Sequence, residues 1–202
     1  MTNHPGASRN FFKKFKMKCQ MLKADPNVPH EYFYVAQDTS DTETNCLKYN
    51  QIKKLISIDA FMFPRYPNIL TDNDWRFISF KDGMIFYKIF NNFSYIKSTI
   101  LGLKKYIRIL SVIFEPTKEC CALSPGKKFV FVGYDILDRE TDYSILTNCG
   151  TFPSAFSPSE LNEYGLLSSL KQAQKTQELL QTLYMDDYHA SRCFVWAIWE
   201  MR

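Results

Sequence analysis

Glycine is scarce in this chain, with only 7 among 202 residues. Glycine-rich loops bind phosphates and dinucleotides because their backbone N–H groups must approach the ligand closely. The sequence contains no G-x-x-x-x-G-K-[ST] loop, no G-x-G-x-x-G fingerprint and no G-x-S-x-G elbow. Nucleotide binding by those loops and the usual serine hydrolase chemistry are therefore unsupported. We expect no cofactor.

Patterns that bind metal ions are also missing. The six cysteines include no C-x-x-C pair, and the three histidines are far apart, at His4, His30 and His189. The adjacent Cys120 and Cys121 cannot easily share one tetrahedral zinc ion. Because disulfide frameworks belong mainly to secreted chains, we expect reduced, mostly buried thiols and no metal site.

The chain has no long hydrophobic run. The longest, Tyr106 to Phe114, is too short to cross a bilayer and contains Arg108. The first ten residues are polar and lack the apolar core of a signal peptide. The expected location is the cytosol, with no membrane span.

Acidic residues are absent before Asp25, a segment that contains six lysines and arginines. Removing those six from the net charge of +4 leaves −2 for the rest of the chain, so nucleic acid is an unlikely partner for the main body. Apolar residues recur at helical spacing here and predict a basic amphipathic helix over about residues 9–24. We favour docking of its phenylalanine face on the domain. Contact of its lysines with RNA or a membrane surface is the alternative.

Aromatic residues make up 16% of the chain and hydrophobic residues 46%, which favours a folded, sheet-rich protein. The predicted strands cover residues 31–37, 107–114, 129–137, 143–149 and 192–200. A β-hairpin is predicted over residues 75–90, because Asp82-Gly83 suits a tight turn. The strand at 129–137 is expected to be central, and the apolar last strand is expected to lie inside the sheet beside it.

Helices are predicted over residues 47–61 and 94–106. A long helix near the C-terminus is predicted to begin at Ser157, which is followed by a proline and by Glu160 in the pattern of a capping box, and to continue to Tyr184. Together these elements predict an α+β fold with a single mixed, mainly antiparallel sheet and packed helices. Since no linker or repeat divides the sequence, we expect one domain over residues 1–202.

One set of residues would suit nucleophilic catalysis. Cys149 ends a predicted strand before Gly150, and a thiolate nucleophile needs an imidazole base such as His189 and a carboxylate, from Asp186 or Asp187, to orient it. With six cysteines and three histidines, such a pairing is also expected by chance. A cysteine-dependent hydrolase or transferase is therefore the alternative function. A buried cysteine and a solvated histidine are the interpretation we favour.

Tyrosines and charged residues concentrate on the predicted turns of the C-terminal part. Tyrosine and arginine are typical of the energetic centres of protein interfaces. The candidate partner-binding residues are Tyr134, Asp138, Arg139, Glu140, Asp142, Asp186, Asp187 and Tyr188. If these turns converge, they form an acidic rim with tyrosine anchors.

Three short motifs mark the C-terminal third: FVGYDI at 131–136, TNCG at 147–150 and ELNEYGL at 160–166. In this pattern the chain resembles small bacterial immunity proteins, the cognate inhibitors of polymorphic or contact-dependent growth-inhibition toxins. The resemblance implies a cytosolic, non-enzymatic protein that binds one toxin domain and blocks its active site or substrate surface. Inhibitors of nucleases in this class are often acidic. The charge of +4 therefore implies either another kind of toxin or contact through the acidic C-terminal surface alone.

Overall fold

The computed structural model describes the chain in separate ranges, which are residues 31–38, 51–57, 78–79, 85–86, 93–99, 107–138, 143–147 and 152–202. In chain order the elements are β1 (Phe33–Asp38), β2 (Ile78–Ser79), β3 (Ile85–Phe86), α1 (Phe93–Thr99), β4 (Ile107–Phe114), β5 (Phe129–Leu137), α2 (Leu170–Leu183) and β6 (Phe194–Met201). Short 3-10 turns lie at Pro158–Glu160 and Ala190–Arg192.

Four strands form one antiparallel sheet in the order β1-β4-β6-β5. The register places Val112 of β4 opposite Phe33 on one side and opposite Ile198 on the other. β6 therefore lies inside the sheet and beside β5, as its apolar sequence predicted. The antiparallel sheet and its accompanying helices confirm the α+β class.

β5 lies at the border of this sheet, so its predicted central position was wrong. Beyond it, the described residues contribute only isolated bridges, from Tyr134 to Leu167 and from Leu137 to Ser144. The strand is apolar on both sides because both faces of the sheet are covered. The apolar pattern indicates that both faces of a strand are covered, but it does not indicate how many strands pair with it.

Different segments cover the two faces of the sheet. On one face, α2 buries Leu170, Ala173 and Leu180 in the same cluster as Trp199 of β6. The opposite face holds Trp196 together with other buried apolar side chains, which include Leu110, Ile56 and Leu166. The 51–57 segment therefore completes the core on the side away from α2.

The predicted long C-terminal helix is divided in the structure. The capping box forms as expected, since Ser157 accepts from the Ser159 N–H and Glu160 accepts from the Ser157 N–H. The helical turn nevertheless ends at Glu160, and α2 begins only after a second cap, Ser169. Asn162 is the cause: its side chain accepts from two backbone N–H groups of the next turn and donates to the Val132 carbonyl of β5. The prediction is correct only for the part that corresponds to α2.

Two other predictions fail where the structure describes them. Residues 51–57 form an extended and turning segment, not a helix, and their backbone bonds to Glu163 and Tyr164, as in the 3.0 Å bond from the Ile56 N–H to the Tyr164 carbonyl. Residues 143–147 form one bridge at Ser144 and then a turn, where a strand was predicted. In both cases non-local backbone bonds replaced the regular element that the apolar pattern suggested.

The β-hairpin is confirmed by its described pairs, with Ile78 opposite Phe86 and Ser79 opposite Ile85. Its Asp82-Gly83 turn lies outside the described residues, as does the predicted N-terminal helix over 9–24. Within the described ranges, the structure contains no helix with the length and apolar character needed to cross a bilayer.

A buried polar cluster joins the 51–57 segment to β5. The Asp135 carboxylate accepts from the Ser57 hydroxyl and the Ser144 hydroxyl, both at 2.7 Å, and from the Ile136 N–H at 2.8 Å. The Gln37 side-chain amide donates to the Ser57 carbonyl. These bonds satisfy a fully buried carboxylate and position the segment over the sheet.

Candidate functional site

The connection between α2 and β6, residues 184–193, meets the end of β5. The contact between them is a 2.8 Å bond from His189 Nδ1 to Asp138 Oδ2. Asp138 also bonds to the backbone of Tyr143 in both directions, so three segments meet at one carboxylate. Asp138, which begins one predicted turn, therefore lies against the other turn, and whether this place binds a partner stays a prediction.

Two of the predicted binding residues are not at the surface. Tyr134 is completely buried, and its hydroxyl donates to Glu119 Oε2 at 2.9 Å and accepts from the Cys120 N–H at 2.8 Å. Burial raises the pKa of this hydroxyl. Asp138 is also buried. Their expected position on an exposed rim was wrong, because the Tyr134 side chain packs in the core cluster that α2 covers and the Asp138 carboxylate bonds to His189.

The remaining described candidates lie in the turn after α2. Asp186 is exposed, and Tyr188 has 56% of its surface exposed. Asp187 is half-buried, and its Oδ1 accepts from the backbone N–H groups of His189 and Ala190. It therefore stabilises the turn. Residues Arg139, Glu140, Asp142 and Cys149 lie outside the described residues.

One stretch after the middle of α2 carries exposed hydrophobic side chains, and we call residues 183–188 the exposed segment. Among the described residues, the large hydrophobic side chains that are exposed are Leu183, Met185 and Tyr188, at 53%, 66% and 56%. Leu183 and Met185 were missed by the sequence analysis. The pattern of α2 gave no signal of this exposure, because Leu183 follows the buried Leu180 by three residues and the buried Thr176 by seven, which places it on the same side of the helix.

Hydrogen bonds hold the exposed segment in a defined turn. The Tyr184 N–H donates to Leu180 at 3.1 Å, and the Asp187 N–H donates to Tyr184 at 3.0 Å. The Tyr184 hydroxyl also accepts from the Ser154 N–H at 3.2 Å, while its ring packs against Phe152 at 4.9 Å. A turn already ordered in this way loses little conformational entropy when a partner binds.

Acidic charge accompanies these apolar side chains. Residues 178–188 contain Glu178, Asp186 and Asp187 and no lysine, arginine or histidine. The nearest arginine in the sequence after this stretch, Arg192, places its guanidinium carbon 5.7 Å from the centre of the Tyr188 ring. The segment therefore combines apolar side chains with an acidic border.

His189 is held in one orientation. Its side chain is 33% exposed and its Nδ1 is bonded to Asp138, so the carboxylate that orients the ring is Asp138. The expectation that Asp186 or Asp187 would do so was wrong, since Asp187 bonds to backbone N–H groups instead. The rings of Tyr143 and Tyr188 lie 4.7 and 5.3 Å from the imidazole.

The buried cysteines that the structure describes are not suited to nucleophilic attack. Burial, the largest cause, raises the pKa of the Cys193 thiol to about 12 and that of Cys120 to about 11. Both are buried free thiols, whereas Cys121 is exposed. In the described part of the chain, no three His, Cys, Asp or Glu side chains are arranged to hold a metal ion.

No protein-family model, curated protein or solved structure matches this chain.

Proposed function

We propose that this protein is a cytosolic inhibitor of the immunity type, which binds a cognate toxin domain through the exposed segment and covers that domain's active site or substrate surface. One observation carries the proposal: the exposed large hydrophobic side chains among the described residues all lie within six consecutive positions. Apolar side chains gathered in this way are typical of binding surfaces.

The three side chains can supply the centre of an interface. Removing apolar surface from water contributes roughly 25 cal/mol per Å², and aromatic side chains are frequent energetic centres of interfaces. Tyr188 provides the aromatic ring, while Met185 is the most exposed of the three and can adapt its shape to a partner.

The acidic border indicates what the partner's surface should carry. Asp186 is exposed beside the apolar side chains, and Glu178 is exposed on α2 five residues before Leu183. A toxin surface with an apolar centre and a basic rim would complement this arrangement. The overall charge of +4 does not oppose such a contact, because the basic excess lies in the first 24 residues.

The experiment starts from the reading frame next to this gene, whose product is tested for toxicity in the presence and absence of this protein. If it is a toxin, calorimetry measures its affinity for the wild type and for the variant Met185→Ser/Tyr188→Ser. We expect the variant to bind at least about 30-fold more weakly, since truncating two central interface side chains typically costs about 2 kcal/mol or more. Its melting temperature should change little, because both side chains are more than half exposed.

The matched control is Lys171→Ser/Gln174→Ser, two exposed positions of α2 that lie away from the segment. It should keep the wild-type affinity. Equal affinity of the Met185/Tyr188 variant and the wild type for the toxin would exclude this surface. A neighbouring frame that encodes a metabolic enzyme and has no toxicity would contradict the inhibitor function itself.

A further inference from the structure

The pairing of His189 with a buried carboxylate permits a second activity at this edge of the molecule. We propose that Asp138 and His189 form a general-base site, in which His189 Nε2 takes a proton from a water molecule as that water attacks a carboxylic ester. This inference goes beyond the binding function and does not depend on it.

The hydrogen bond defines which ring nitrogen acts as the base. A carboxylate accepts hydrogen bonds, so the 2.8 Å contact with Asp138 Oδ2 places the proton of the neutral ring on Nδ1. Nε2 then carries the free lone pair. Within the described residues, His189 makes its side-chain hydrogen bond through Nδ1 only. A base oriented by a carboxylate in this way is the arrangement that hydrolytic enzymes use.

The carboxylate is itself fixed, so the imidazole has a defined direction. Asp138 is buried, and its second oxygen accepts from the Tyr143 N–H at 3.3 Å while its own N–H donates to the Tyr143 carbonyl at 3.0 Å. The His189 N–H donates to Asp187 Oδ1 at 2.9 Å, which fixes the backbone of the base. Positioning of a base by surrounding bonds is what raises its effectiveness above that of free imidazole.

Water and a small substrate can reach the ring. One third of the His189 side-chain surface is exposed, and the rings of Tyr143 and Tyr188 flank the imidazole. Aromatic walls of this kind suit an ester with an apolar or aromatic group. The substrate class is therefore a small ester that packs against a tyrosine ring.

The reaction balances without a cofactor. Nε2 removes a proton from water as the water oxygen forms a bond to the carbonyl carbon of the ester. The bond from that carbon to the alcohol oxygen then breaks, and the leaving oxygen takes the proton from the imidazolium. The products are a carboxylic acid and an alcohol, and the neutral His189 is regenerated.

The test measures hydrolysis of p-nitrophenyl acetate by the full-length protein, with an equal concentration of free imidazole as reference. We expect the protein to be about 100-fold faster than imidazole, in the range that general-base catalysis contributes. His189→Gln should remove this activity, and Asp138→Asn should reduce it and alter its pH profile. His30→Gln, a change at another histidine of the chain, should have no effect.

Two further measurements on the wild-type protein test the general-base role of His189 even if a variant is unstable. The wild-type rate should fall in D2O because a proton is transferred in the rate-limiting step, and mass spectrometry should find no acetylated His189. A wild-type rate equal to that of imidazole, full activity in a folded His189→Gln variant, or accumulation of acetyl-His189 would each overturn the general-base role.

Discussion

Burial decides the chemistry of the cysteines that the structure describes. The Cys193 and Cys120 thiols have pKa values raised to about 12 and about 11, whereas Cys121 is exposed. The thiolate is the reactive form, so a thiol of raised pKa reacts slowly near neutral pH. We therefore expect iodoacetamide to label Cys121 in the folded protein and to leave Cys120 and Cys193 unlabelled, as measured by peptide mass spectrometry.

Unfolding in guanidinium supplies the control for this labelling experiment. All three thiols should then react at similar rates, because the cause of the difference is burial in the native state. Rapid labelling of Cys193 in the folded protein would show that its environment is not the closed one seen at the α2–β6 connection.

A second residue with perturbed titration is Glu115. Burial raises the pKa of this carboxyl, although bonds from the Val195 N–H and the Gln177 amide act in the opposite direction. A raised pKa in the folded state gives a stability contribution that is present at low pH and is lost as pH rises through the folded pKa. The Glu115 carboxyl should therefore favour the folded state near pH 4 more than it does at neutral pH.

The variant Glu115→Gln tests whether the Glu115 carboxyl stabilises the folded state more at low pH than at neutral pH. The glutamine oxygen can still accept both hydrogen bonds but carries no charge, so the stability of the variant relative to the wild type should rise between about pH 4 and about pH 7. Urea unfolding at the two pH values gives the comparison. Glu178→Gln, at an exposed position of α2, should show a smaller change. A relative stability of Glu115→Gln that falls over this interval would contradict the prediction.

At the scale of the elements, β5 depends on one glycine. Gly133 has a φ of 144° and lies at the register shift where β5 pairs with β6. A Cβ atom there would approach Leu166 Cβ and the Leu167 carbonyl oxygen to 2.8 Å each. We expect Gly133→Ala to lower the free energy of unfolding by roughly 2 kcal/mol or more, because overpacking adds to backbone strain. Chemical denaturation measures this loss.

Gly126 provides the matched control. A Cβ atom at this position would meet only the Phe129 ring, at 3.9 Å. Gly126→Ala should therefore cost clearly less than Gly133→Ala. Equal losses for the two variants would mean that the close approach of residues 166–167 to β5 does not constrain the strand.

At the scale of the whole molecule, Asp135 connects three distant parts of the chain. Its carboxylate accepts from Ser57, from Ser144 and from the backbone of β5. Asp135→Ala would leave these buried donors without this acceptor, and we expect a loss of stability of roughly 3 kcal/mol. Thermal and urea unfolding should both detect it.

Two other variants distinguish loss of the whole hydrogen-bond network around Asp135 from loss of a single side chain. Ser144→Ala removes one donor and should cost about 1 kcal/mol, because the carboxylate keeps its other bonds. Asp186→Ala, at an exposed position, should change stability by less than about 0.5 kcal/mol. If Asp135→Ala were no more harmful than Asp186→Ala, the buried cluster would not hold the 51–57 segment on the sheet.

The candidate site was only partly predictable. The sequence indicated Asp186 and Tyr188 as turn residues, and the structure places both at the surface. It did not reveal that Tyr134 is buried or that Asp138 bonds to His189, because both facts depend on contacts between segments about 15 to 51 residues apart. The exposure of Met185 likewise depends on where α2 ends.

The sequence by itself determined the strands at 107–114 and 129–137, the paired residues of the hairpin and the cap at Ser157, since these depend on local side-chain patterns and local hydrogen bonds. Only the tertiary structure decided the border position of β5 and the interruption of the helix after Glu160. The physical reason is that distant backbone groups compete for the same hydrogen bonds: Asn162 bonds to β5, and the chain turns where the local pattern would have continued a helix.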